Sequence, residues 1–143
     1  MDVFDTIKKE RNKGAVYCGT LPKAESATKL AAAFSLSDKP ACYRSTDIDM
    51  ARAILSEILH RDLAYGTRLM SQARAEELST TFMQRFAKPG TRFFTNADFK
   101  RDAGAGLVLA GWNPATTATF DTGILALGAP GSESACVWVA DED

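Results

Sequence analysis

The side chains best suited to chemistry are one histidine, His60, and three cysteines, Cys18, Cys42 and Cys136. A nucleophilic site needs a thiol or hydroxyl beside a histidine that an acid orients. Cys18–His60–Asp121 is the triad that can be written, because Cys18 stands where a strand would pass into a loop. No local sequence pattern supports this triad, and a histidine at a helix end is more often structural.

Metal and cofactor motifs are not recognisable in the sequence. Three cysteines are too few for a zinc pattern and do not form a disulfide framework. Asp47 and Asp49 are better explained as capping residues of a helix. Gly104-Ala105-Gly106 lacks the lysine and the following serine or threonine of a phosphate-binding loop. We therefore expect neither a metal nor a cofactor.

The most distinctive segment runs from Trp112 through Asn113-Pro114 to Phe120, Asp121 and Ile124. Two aromatic residues flank a turn rich in threonine that ends in an acid. Aromatic anchors beside polar groups are typical of protein interfaces. The same pattern also suits a hairpin whose aromatic residues are core and whose threonines are strand formers. Both interpretations remain open at this point.

Helices are predicted in the first 90 residues, over 2–12, 24–34, 46–60 and 72–87. The third has the clearest signal, because Thr46 with Asp49 three residues later resembles a capping box. Its apolar side chains recur at helical spacing: Met50, Ile54, Leu55, Ile58 and Leu59. Pro89-Gly90 closes the helical part of the chain.

Strands are predicted over 15–18 and, after Gly90, over 92–95, 106–112, 118–127 and 136–140, with a turn or cap at Asn96-Ala97-Asp98. The side chains of 118–127 would alternate between two faces, with Phe120, Thr122, Ile124 and Ala126 on one and Thr119, Asp121, Gly123, Leu125 and Leu127 on the other. The last three are separated by short turns containing Asn113-Pro114 and Gly128 to Gly131, which predicts an antiparallel meander. We therefore expect a single α+β domain over 1–143, helix-rich in 1–90 and β-rich in 91–143. Its helices would pack on one face of the sheet.

Composition and charge limit the classes of function that the chain can have. The chain has 143 residues and a formal charge of −1, which excludes a generally basic nucleic-acid binder. Residues 1–101 hold all 17 Lys and Arg with 12 acids, whereas 102–143 hold six acids and no base. No apolar run reaches the roughly 18 residues of a membrane helix. The charged first ten residues do not look like a secretory signal, so we expect a cytoplasmic protein.

Two stretches near the end of the chain together resemble a known family. The first runs from Trp112-Asn113-Pro114 to Thr119-Phe120-Asp121-Thr122-Gly123-Ile124, and the second is Val137-Trp138-Val139-Ala140-Asp141-Glu142-Asp143. Together they are similar to the C-terminal part of small immunity proteins that accompany polymorphic toxins, including those of contact-dependent growth inhibition systems. The resemblance covers about the last third of the chain.

The resemblance implies a bacterial inhibitor without enzymatic activity, which binds one cognate toxin domain and blocks its active site. Many such toxins are nucleases with basic sites, and an acidic patch would complement them. The partner-binding residues would then be Trp112, Asp121, Trp138, Asp141, Glu142 and Asp143. The partner is expected to be that toxin protein, without direct binding of nucleic acid or membrane. Whether copies of the chain associate is not predicted.

Two other functions are compatible with the sequence. The chain could be a small enzyme that uses Cys18 or a carboxylate such as Asp121. It could also be a regulatory domain that forms a homodimer through a sheet edge or an exposed helix.

Overall fold

The computed structural model describes residues 2–102, 104 and 106–143. Within these residues the helices are α1 (Val3–Glu10), α2 (Ala27–Ala33), α3 (Ile48–His60) and α4 (Gln72–Phe86), with a 3-10 turn at Pro40–Cys42. The strands are β1 (Ala15–Leu21), β2 (Arg44–Thr46), β3 (Arg92–Thr95), β4 (Ala97–Asp102), β5 (Gly106–Trp112), β6 (Phe120–Leu127) and β7 (Ser134–Asp141).

Five of the strands form one antiparallel sheet in the order β1-β7-β6-β3-β2. Strand β7 is buried along its whole length, because β1 and β6 pair with its two edges and helices cover its faces. A strand in that position must be apolar on both sides, which explains the run Cys136-Val137-Trp138-Val139-Ala140. The carboxyl-terminal strand is therefore central to the fold.

Strands β4 and β5 form a separate two-stranded ribbon. A register shift between Asp98 and Phe99 marks an irregularity at its base. The sequence predicts a meander of three successive strands over 106–112, 118–127 and 136–140. This prediction is wrong for 106–112, which forms β5 of the ribbon. Among the described residues of β5, β6 and β7, only β6 and β7 pair with each other, and the sheet is completed by β1, β3 and β2 from earlier in the chain.

Both faces of the sheet are buried. Ile124 and Ala126 lie in a core that includes buried side chains of α1, α3 and α4. Leu125 and Leu127 lie in a second core with Leu30 of α2. The alternation expected along β6 is thus confirmed, since neighbouring residues of a strand point to opposite faces. The expectation that helices cover one face only is wrong, because α2 and the 3-10 turn cover the other.

Helix α3 begins one residue later than the sequence indicated. Its N-cap is Asp47, whose Oδ1 accepts a hydrogen bond from the Met50 amide at 2.7 Å. Thr46 instead ends β2, where it pairs with Phe93. The apolar side of the helix is as predicted, with Ile54, Leu55, Ile58 and Leu59 fully buried.

The α+β class is confirmed, with most helices before most strands. Helix α2 is shorter than predicted and β1 is longer. Strands β2 and β4 were not predicted, and β4 includes Ala97-Asp98, for which the sequence indicated a turn or cap. None of the helices in the described residues has the length and apolar character needed to cross a membrane.

Candidate functional site

Asp121 is fully buried and organises the loop that precedes it. Its carboxylate accepts hydrogen bonds from the Ala115 amide at 3.0 Å and from the Thr116 hydroxyl at 3.0 Å. It also accepts hydrogen bonds from the Asn96 amide group at 3.0 Å and from the Trp138 indole at 3.1 Å. Short polar side chains that bind nearby backbone amides fix turns in this way. Asp121 therefore holds residues 113–119 against the sheet.

Trp138 is also fully buried and belongs to the second core. Its indole N–H donates to Asp121, and the ring of Tyr43 lies edge-on to it at 5.9 Å. A buried indole needs such a partner for its N–H. The acid of the distinctive segment, Asp121, is therefore explained by folding, because it accepts the hydrogen bond that the buried indole of Trp138 requires.

Asp141 forms a buried ion pair with Arg11, and neither side chain is exposed. The two nitrogens of the guanidinium group donate to the two carboxylate oxygens at 2.9 and 2.8 Å. Arg11 also donates to the carbonyl oxygen of Ile58 at 2.7 Å, and the Leu63 amide donates to Asp141 at 2.9 Å. The pair thus joins the end of α1 to β7 and to the end of α3.

These contacts correct the predicted acidic surface. Asp121, Trp138 and Asp141 lie in the interior, so the expectation that they face a partner is wrong for this structure. Glu133, another acid of the last third, accepts hydrogen bonds from Arg85 at 3.0 Å. The acids of the last third therefore do not all contribute to one negative face.

The remaining predicted residues do come together. Trp112 lies against Phe120, with the ring centroids 5.4 Å apart, and neither ring belongs to the two cores. Next to Phe120, the Thr119 hydroxyl donates to Glu142 at 2.5 Å and contacts the Asp143 carboxylate at 3.4 Å. We call these five residues the C-terminal corner. It places two partly exposed aromatic rings beside two exposed carboxylates.

The three cysteines and His60 do not assemble into the triad. Cys18 contacts the Phe4 carbonyl oxygen, whereas the His60 Nδ1 lies 2.7 Å from the Met70 carbonyl oxygen. Burial raises the pKa of the Cys18 thiol to about 11 and raises that of Cys136 as well. Burial also raises the pKa of Cys42. A thiol in such a setting is protonated at neutral pH and is a poor nucleophile.

Sequence reasoning missed two residues that this region depends on. Arg11 forms the buried ion pair with Asp141, yet no feature of the surrounding sequence distinguishes it from the other basic residues near the first helix. Asn96 binds both the Asp121 carboxylate and the Asn113 carbonyl oxygen, at 3.0 and 2.8 Å. Its position between two strands was predicted as a turn. Only its complete burial shows that it is a hydrogen-bonding centre.

Comparison of the chain with protein-family models, with curated proteins and with solved structures found no match in any of the three.

Proposed function

We propose that this chain is an immunity protein, which binds a cognate bacterial toxin domain in the cytoplasm of the producing cell and blocks its active site. The observation that supports this proposal is the C-terminal corner. There a pair of aromatic rings lies outside both cores and beside two exposed carboxylates. On this proposal the chain acts by binding the toxin domain and not by catalysing a reaction.

The corner has the chemistry of an interface anchor. Tryptophan is enriched among the residues that dominate binding energy, and it works best when water is excluded around it. Contact with Phe120 limits the freedom of the Trp112 side chain before binding, so that less entropy is lost on association. Glu142 and Asp143 would favour a partner surface rich in lysine and arginine.

The loop that joins Trp112 to Phe120 supports the same function. Because Asp121 binds Ala115 and Thr116, residues 113–119 are fixed at their start. At their end Thr119 is held by Glu142 through two hydrogen bonds, at 3.3 and 2.5 Å. Trp112 and Phe120 are thus presented by a segment that is ordered before any partner arrives.

The test uses the toxin domain that this proposal requires: the variable C-terminal domain of a large secreted protein encoded immediately upstream. Co-expression with the full chain should restore growth of cells that make this domain. Trp112→Ala and the double variant Glu142→Gln, Asp143→Asn should reduce protection and weaken binding of the purified domain. Ile48→Ala is the control, because Ile48 is an apolar side chain that is 47% exposed at the first position of α3 and does not belong to the C-terminal corner.

The results distinguish the proposed immunity function from the proposed position of the binding surface. Failure of the unmodified chain to protect or to bind would overturn the immunity function. Full protection by folded corner variants would show that the C-terminal corner is not the contact surface. Thermal melting of each variant distinguishes a lost contact from a lost fold.

A further inference from the structure

A cleft of about 320 Å³ lies between α3 and the β4–β5 ribbon. One side of α3 forms its floor through Ala53, Ser56, Glu57 and His60, which recur at the spacing of a single helix face. This face is different from the apolar side of α3 that contacts the sheet. The volume is in the range of pockets for small molecules.

The floor of the cleft offers hydrogen-bond acceptors. The Met70 carbonyl oxygen can only accept, so the His60 Nδ1 must carry the proton in that 2.7 Å contact. In neutral His60 the Nε2 then has a free lone pair, and no partner for it is found within the described part of the chain. His60 is only 9% exposed. Glu57 lies one turn earlier, with the Arg61 Nη1 atom 4.0 Å from its carboxylate, and burial raises the pKa of this carboxyl group against the opposing effect of Arg61.

The opposite wall offers a strong donor. Arg101 of β4 lies on the side of the ribbon that also presents Phe99 and Leu107 to α3, and it lines the cleft. Its guanidinium group has no ion pair or hydrogen bond within residues 2–102, 104 and 106–143. Arg101 is exposed to solvent, and a guanidinium group that lines a cleft without an internal partner can bind an oxyanion in two-point fashion.

We propose that this cleft binds a small carboxylic acid that also carries a hydroxyl or ammonium group, such as a hydroxy acid or an amino acid. Arg101 binds the carboxylate from the ribbon side. His60 Nε2 and the Glu57 carboxyl group accept hydrogen bonds from the hydroxyl or ammonium group on the helix side. This inference is independent of toxin binding, since it uses none of the residues of the C-terminal corner.

The single histidine makes the test direct, because its imidazole resonances are assigned without ambiguity. The full chain, labelled with ¹⁵N, is titrated with the common amino acids and their hydroxy-acid analogues while the His60 nitrogen signals are followed. At least one compound should shift these signals with saturation. Its analogue without the hydroxyl or amino group should bind more weakly.

The variants locate the site. Arg101→Met should weaken binding by about tenfold or more, the loss expected for one charge-assisted hydrogen bond. Lys100→Met is the matched control, since Lys100 is its neighbour on β4 and points to the other face of the ribbon. Ala53→Met should abolish binding by filling the cleft without a change of charge. Circular dichroism shows whether each variant is folded.

Three results would overturn the proposal. The first is that no compound of the panel gives a saturating shift at millimolar concentration. The second is that Ala53→Met and Arg101→Met bind as well as the unmodified chain. The third is that analogues without the hydroxyl or amino group bind equally well, because the acceptor groups of His60 and Glu57 would then have no role.

Discussion

Arg11 and Asp141 show at the scale of single residues how distant parts of the chain depend on each other. They are 130 positions apart, yet their side chains form a two-point ion pair in the interior. Such a pair costs desolvation energy and is favourable only when its hydrogen bonds are complete. Here the Ile58 and Lys13 carbonyl oxygens accept from Arg11, and the Leu63 amide donates to Asp141. Removing one member leaves the others without partners.

Arg11→Met should therefore lower the free energy of unfolding by about 3–5 kcal/mol, because a buried carboxylate loses its counter-charge. Urea denaturation at neutral pH measures the loss. Lys29→Met breaks the exposed pair with Glu25 and should change stability far less, because water and salt screen exposed charges. Equal effects of the two substitutions would show that the Arg11 pair is not a structural centre.

The buried thiol of Cys18 leads to a second prediction at this scale, on the pH dependence of stability. Burial raises the pKa of its thiol from 9.0 to about 11, so the folded state holds this proton more tightly than the unfolded state. Its contribution to stability is complete below pH 9.0 and is lost as the pH rises through about 11. Urea denaturation over this range should show falling stability, with a shallower decline in Cys18→Ala. The same slope in both proteins would contradict the assignment to Cys18.

At the scale of elements, the start of α3 depends on a choice between two adjacent capping residues. Asp47 has its carboxylate on the Met50 amide, whereas Thr46 belongs to β2. The sequence favoured Thr46 because of Asp49 three residues later. Pairing of β2 with β3 decides against it, since Thr46 is already placed opposite Phe93 in the sheet.

Asp47→Ala should reduce the free energy of unfolding by about 1 kcal/mol, the usual effect of losing an N-cap side chain. Thr46→Ala is the control and should have the smaller effect, because its hydroxyl does not cap the helix. Thermal melting followed by circular dichroism gives both values. A larger loss for Thr46→Ala would mean that the helix begins where the sequence alone suggests.

At the scale of the whole molecule, folding redistributes the charge that the sequence separates. All Lys and Arg residues precede position 102, but two of them form ion pairs with acids of the last third, Arg11 with Asp141 and Arg85 with Glu133. The negative potential that remains in the C-terminal corner comes from Glu142 and Asp143. Our functional proposal therefore depends on a small charged area rather than on a whole acidic face.

Association with a basic partner should be faster at low ionic strength and slower as salt is added. Neutralising Glu142 and Asp143 together should lower the association rate at low salt and flatten this dependence. Stopped-flow measurements with the toxin domain would test it. Neutralising Asp49 and Glu76 changes the net charge equally on helices α3 and α4 and should have a smaller effect. Unchanged association after loss of the corner acids would make them an ordinary chain end.

Local patterns in the sequence were sufficient for the α+β class, for the apolar side of α3 and for the alternation along β6, because each depends on the spacing of neighbouring residues. The partners of each strand, the separate β4–β5 ribbon and the second core beneath α2 required the tertiary structure. The same holds for the candidate site, in which Trp112, Glu142 and Asp143 stay at the surface while Asp121, Trp138 and Asp141 are buried. Exposure of an acid depends on which arginine or amide reaches it in space, and residues far apart in the chain make those contacts.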